Sequence, residues 1–126
     1  MIGYVTLGTN NKEKAEKFYD ALLKEIGGAR FMETEQFTAY ATTPEQSGIG
    51  ITKPFDGKPA TVGNGTMVAL KVDSPDKVNS FYNKAISLGA KDEGKPGPRG
   101  DSGFYAGYFR DLDGNKLNVF CFTGKK

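Results

Sequence analysis

The chain has 126 residues and 13.6 kDa, enough for one compact domain or two small modules sharing a core without disulfide or metal support. Lys+Arg 17 against Asp+Glu 15 leaves +2, which offers no electrostatic footprint for nucleic acid or a membrane surface. With no histidine and a single cysteine, the chain cannot supply Ser-His-Asp or Cys-His catalysis, nor histidine-based zinc or iron chemistry.

In chain order, Ile2 to Gly8 alternates like a strand, with Val5 and Leu7 on one face and Tyr4 and Thr6 on the other. Asn10 or Asn11 then caps a helix, and Glu13 completes a capping box with Asn10. Ala15, Phe18, Tyr19, Leu22 and Ile26 form its apolar stripe, and Gly27-Gly28 ends it. Three short strands follow, near 30–33, 36–41 and 48–53. The segment 54–65 is rich in Gly and Pro and reads as a linker. A strand over 66–72 leads to Ser74 as a cap and Pro75 at the first helical position. Val78, Phe81, Tyr82, Ala85 and Ile86 make the second stripe, and Gly89 closes it. Strands near 90–93, 104–110 and 116–122 complete the chain.

The two halves repeat each other. Tyr4 precedes Met67 by the same number of residues as Phe18-Tyr19 precedes Phe81-Tyr82, and Phe37-Thr38-Ala39-Tyr40 is echoed by Phe104-Tyr105-Ala106-Gly107. The expected fold is therefore α+β: a single domain of two tandem βαβββ modules, 1–53 and 66–126, forming a curved mixed sheet with its helices on the outer face. Strand alternation assigns Tyr4, Thr6, Gly50, Met67, Asn118 and Phe120 to the concave side, with Tyr108 beside them. Arg99 lies in the aperiodic stretch 95–103.

The Val5-Thr6-Leu7-Gly8-Thr9-Asn10 strand end, the Phe18-Tyr19 helix and the 109–117 hairpin with Asp113-Gly114-Asn115 resemble the vicinal oxygen chelate superfamily of glyoxalases, bleomycin resistance proteins and extradiol dioxygenases. Leu112 stands where such families usually have Pro. In relatives the connection matching 95–103 borders the mouth of the site, so the resemblance makes Arg99 the candidate anion contact there. The resemblance implies one metal ligand on each of four strands, at Tyr4, Gly50, Met67 and Asn118. None is a good divalent ligand: a neutral phenol, no side chain, a soft thioether and a neutral amide. No metal or other cofactor is therefore expected. What remains suits an aromatic or weakly polar small molecule held by stacking, a methionine contact and neutral hydrogen bonds. The alternative is a glyoxalase-type lyase, isomerase or dioxygenase with displaced ligands such as Glu33, Glu45, Asp101 or Tyr4.

Relatives are commonly dimers, so a homodimer is expected. No apolar run reaches transmembrane length and no secretion signal is visible, so the expected compartment is the cytoplasm, with no nucleic-acid or membrane partner. Cys121 is expected on the helix side as a small apolar residue. Arg99-Gly100-Asp101 and Asn64-Gly65-Thr66 match an adhesion and a glycosylation motif, which in such a compartment are chance.

Overall fold

A computed structural model describes residues 1–124, two short of the end of the expected 66–126 module. The protein is α+β and divides into two compact units, Met1–Val62 and Gly63–Lys126. The first runs β1 (Tyr4–Gly8), α1 (Lys12–Lys24), β2 (Ala29–Glu33), β3 (Phe37–Ala41) and β4 (Gly48–Thr52). The second repeats the order with β5 (Val68–Lys71), α2 (Pro75–Ser87), β6 (Lys91–Pro98), β7 (Phe104–Arg110) and β8 (Lys116–Phe122). Each unit has its own four-stranded mixed sheet, ordered β1-β4-β3-β2 and β5-β8-β7-β6. In both, the first strand lies parallel to the last and the remaining pairs are antiparallel. Among the described residues no helix is long and apolar enough to cross a membrane.

The caps decide where the helices begin. The Asn11 side chain accepts from the Lys14 amide at 3.1 Å, and Ser74 accepts from Lys77 at 3.2 Å ahead of Pro75. The capping box expected from Asn10 and Glu13 does not form, because the Asn10 amide is used elsewhere, on Ala60. The first stripe buries Ala15, Phe18, Tyr19, Leu22 and Leu23, while Ile26 falls past the last helical turn. The second buries Val78, Phe81, Tyr82 and Ala85 and leaves Ile86 partly exposed.

Sheet alternation then fixes what meets each helix. Thr38 and Tyr40 reach Glu16 and Asp20 of α1, so Leu7, Ile49 and Ile51 share that buried face. In the second unit Tyr105 donates to Asn79, and the Phe109 ring packs 6.3 Å from Phe81. Leu117, Val119 and Cys121 lie on this side, fully buried. Burial pushes the Cys121 thiol up, so it behaves as the small apolar residue the alternation predicts.

Two boundaries differ from expectation. β5 starts at Val68, leaving Met67 just outside it. The stretch 95–103, expected as an aperiodic loop, contributes its first half to β6, whose register shifts at Gly94 and Gly97. Pro96 and Pro98 disguise this strand; they are tolerated because β6 is the sheet edge, where a missing N–H costs no ladder bond. The 111–115 turn is as expected: Asp111 Oδ1 accepts the amides of Asp113 and Asn115, each at 2.9 Å, and Gly114 takes φ 92.

An ion network ties β2 to α1. Arg30 grips Asp20 with two 2.8 Å bonds and Glu33 with one of 2.6 Å, and approaches Glu16 at 3.6 Å. The Arg30 hydrogen bonds hold the Asp20 carboxyl below its ordinary 3.8, helped by the Tyr40 hydroxyl. Burial of Glu16 opposes its ionisation, but bonds from Lys12 and Thr38 and the Arg30 charge leave it below 4.5. Lowered carboxylates give stability that is complete above these ordinary values and lost as pH falls through the folded ones. Burial and the Asp92 bond push Tyr82 up to about 12, so its contribution is complete below pH 10 and lost as pH rises towards that value. Urea midpoints measured across pH should fall on both limbs, and Asp20→Asn should make the acid one shallower.

Candidate functional site

Of the sequence-predicted residues, Tyr4, Thr6, Gly50, Tyr108, Asn118 and Phe120 lie on the sheet faces turned away from the helices, and each unit presents its own set. In the first unit, Tyr4 and Thr6 of β1 are exposed and Gly50 of β4 is buried. Thr6 pairs with Gly50, and Ala39 of β3 lies on the other side of Gly50. The reason Gly50 is buried is Phe37. A Cβ at Gly50 would sit 2.7 Å from the Phe37 ring, and the Tyr4 ring lies 6.2 Å from Phe37 at a tilt. A Cβ at Gly48 would meet the Phe31 ring at 3.3 Å. The expected ligand slot at Gly50 is thus roofed by an aromatic ring, and this face is apolar. Phe37 and Phe31 were missed as site residues. Strand alternation places Phe37 opposite Thr38 and Tyr40, which would have found it.

In the second unit the outward face has two distinct ends. Phe104, Phe120 and Phe122 cluster at one end, with ring centroids 5.4 to 6.0 Å apart. At the other, Tyr108 is flanked by two cations, the Arg99 guanidinium 5.4 Å and the Lys116 ammonium 5.6 Å from its ring centroid. Between them lies Asn118, paired in register with Tyr108 on β7 and Ala69 on β5. Asn118 is 1% exposed, and its Oδ1 is buried with no hydrogen-bond partner among the described residues. Native proteins satisfy nearly all such atoms, since leaving one unpaired costs about 1–3 kcal/mol.

Arg99 joins this face by folding back on β6. It donates to Gly97 O at 2.9 Å and Lys95 O at 2.8 Å, and those bonds hold it over Tyr108. Phe104, Phe122 and Lys116 were not anticipated, although Phe122 and Lys116 share the alternation of Asn118 and Phe120. Met67 is 39% exposed and precedes the strand.

The donor set is a poor match for a divalent cation. Gly50 lies beneath a ring, Asn118 brings a neutral amide, and Tyr4 and Met67 bring a neutral phenol and a thioether. Among the described residues no three His, Cys, Asp or Glu side chains cluster as a metal site. Of the displaced ligands considered, Glu33 is ion-paired with Arg30.

The tandem βαβββ order extends to known proteins. The model of the Glyoxalase/Bleomycin resistance protein/Dioxygenase superfamily matches residues 1–119. A crystal structure of a glyoxalase/bleomycin resistance protein from Albidiferax ferrireducens is 35% identical, with TM-score 0.87 over 96% of this chain and 98% of that one. A family enzyme from Burkholderia phytofirmans is 17% identical, with TM-score 0.76 over 95% and 97% of the two chains. The fosfomycin resistance protein FosX from Listeria monocytogenes, complexed with Mn(II) and 1S,2S-dihydroxypropylphosphonic acid, is 13% identical, with TM-score 0.70 over 94% and 87%. Among curated proteins none matches. The repeated module, the match along most of the chain and a near full-length relative at this identity lead to one conclusion: the chain belongs to the glyoxalase/bleomycin resistance protein/dioxygenase superfamily.

Proposed function

We propose that the protein binds a small aromatic or weakly polar molecule on the outward sheet face of its second module, without metal-dependent catalysis. The observation that carries this reading is the buried, unpaired Oδ1 of Asn118 between an aromatic cluster and a cation-flanked tyrosine. A neutral acceptor in such surroundings fits a ligand that brings an N–H or O–H donor on a flat apolar body. The phenylalanines supply area for the body, and the amide oxygen supplies orientation. Glu93, whose carboxylate reaches this face, is ion-paired with Arg110 at 3.3 Å, which favours holding a ligand over transforming it.

The test is a titration of chelator-treated protein with paired aromatic compounds, one of each pair carrying a donor group and the other its methylated analogue. The donor-bearing member should give saturable amide shifts within residues 104–122, and Asn118→Leu should weaken it about tenfold. Equal affinity for both members, or turnover of either compound that depends on added metal, would overturn the reading.

A further inference from the structure

We propose a second binding site on the first module, for an organic anion: a carboxylate or phosphate carried on a flat apolar body. A groove of about 420 Å³ lies where β1 leads into α1, between that corner and the segment after β4. Its charge is one-sided. Lys12, Lys53 and Lys58 line it, and no lining residue is acidic. Lys12 is neutralised by Glu16 at 2.7 Å. Lys53 and Lys58 have no ion-pair partner among the described residues, so two unneutralised ammonium groups share one concavity. The first turn of α1 adds little, because its cap is already filled by Asn11.

The wall is built rather than loose. Asn10 brackets Ala60, accepting from its amide at 2.7 Å and donating to its carbonyl at 3.2 Å. Gln36 donates to Lys53 O at 2.8 Å and Pro54 O at 3.3 Å, and the Gly57 amide closes a turn onto Pro54 O at 3.1 Å. These bonds fix the backbone that carries both lysines, which lowers the ordering cost of binding. On the rim stands Phe55, a fully exposed aromatic side chain at 102%, beside Pro54 and Pro59. An uncovered ring next to two unpaired cations is complementary to one chemistry, an anionic head on a stackable body.

Nitrogen-15 labelled protein titrated with phenyl phosphate, benzoate, inorganic phosphate and phenol tests this. The first two should shift the amides of Thr9, Lys58 and Ala60 saturably, with whichever head group binds tighter naming the source. Inorganic phosphate and phenol should each bind about tenfold more weakly. Combining Lys53→Gln with Lys58→Gln should lose about tenfold for both aromatic anions. Phe55→Ala should reduce phenyl phosphate to the level of inorganic phosphate. All three side chains are exposed, so the variants should keep the native spectrum, and the single Lys58→Gln variant serves if the double one does not. Shifts that fail to saturate, persist in the lysine variants, or fall within residues 104–122 would overturn the site. Because the Asn118 face is read from those other amides, either site can fail without the other.

Discussion

Phe109→Ala is expected to destabilise the protein by about 3–5 kcal/mol, measured as the loss in urea unfolding free energy. Phe109 is fully buried in the middle of β7, packed on Phe81 of α2, with Leu117 paired to it on β8. The ring is held from a helix on one side and from backbone ladders on both edges, so the surroundings have little freedom to collapse into the space left behind. A loss below about 1 kcal/mol would mean that the α2 interface is plastic and that the strand-helix packing described for this unit is wrong.

Asn118→Leu is expected to act in the opposite direction, raising unfolding free energy by about 1–3 kcal/mol while weakening the proposed ligand. Leucine has nearly the shape of asparagine and carries no acceptor to leave unpaired. It would sit on β8 between Ala69 and Tyr108, where the native amide oxygen is buried without a partner. A stabilised variant that binds less is the signature of a residue kept for recognition at the expense of the fold. If Asn118→Leu instead lowers stability, the amide is serving the structure, and the proposed role of its oxygen fails. Asn118→Asp separates the two further: a buried, uncompensated carboxylate should destabilise at neutral pH and recover on acidification.

Much of this architecture could be read directly from residue types. Ser74-Pro75 marked the second helix because a hydroxyl cap and a fixed φ suit a helix start and little else. Strand alternation put Leu117, Val119 and Cys121 on the helix side, where they are. Other features depended on distance across the sheet. Asn10 and Asn11 are equivalent caps by type, and the choice fell to Asn11 because Ala60, fifty residues on, takes the Asn10 amide. The Phe37 ring over Gly50 follows from the register that sets Ala39 opposite Gly50, and a single chain does not reveal register. β6 was hidden for a different reason. Its Gly and Pro residues signal a loop everywhere except at the rim of a sheet, and the strand order that puts them at the rim is a tertiary fact.

Those same prolines govern how the molecule meets its copies in a crowded solution. A sheet margin normally offers a row of amides on which a stray chain can crystallise into cross-strand fibres. Along β6, Pro96 and Pro98 interrupt that row twice within three residues, and the backbone shifts at Gly94 and Gly97 break its straightness. The second module is thereby guarded along this margin against runaway stacking, and Pro96 does so while also lying over Gly107, beside Tyr82, on the helix side.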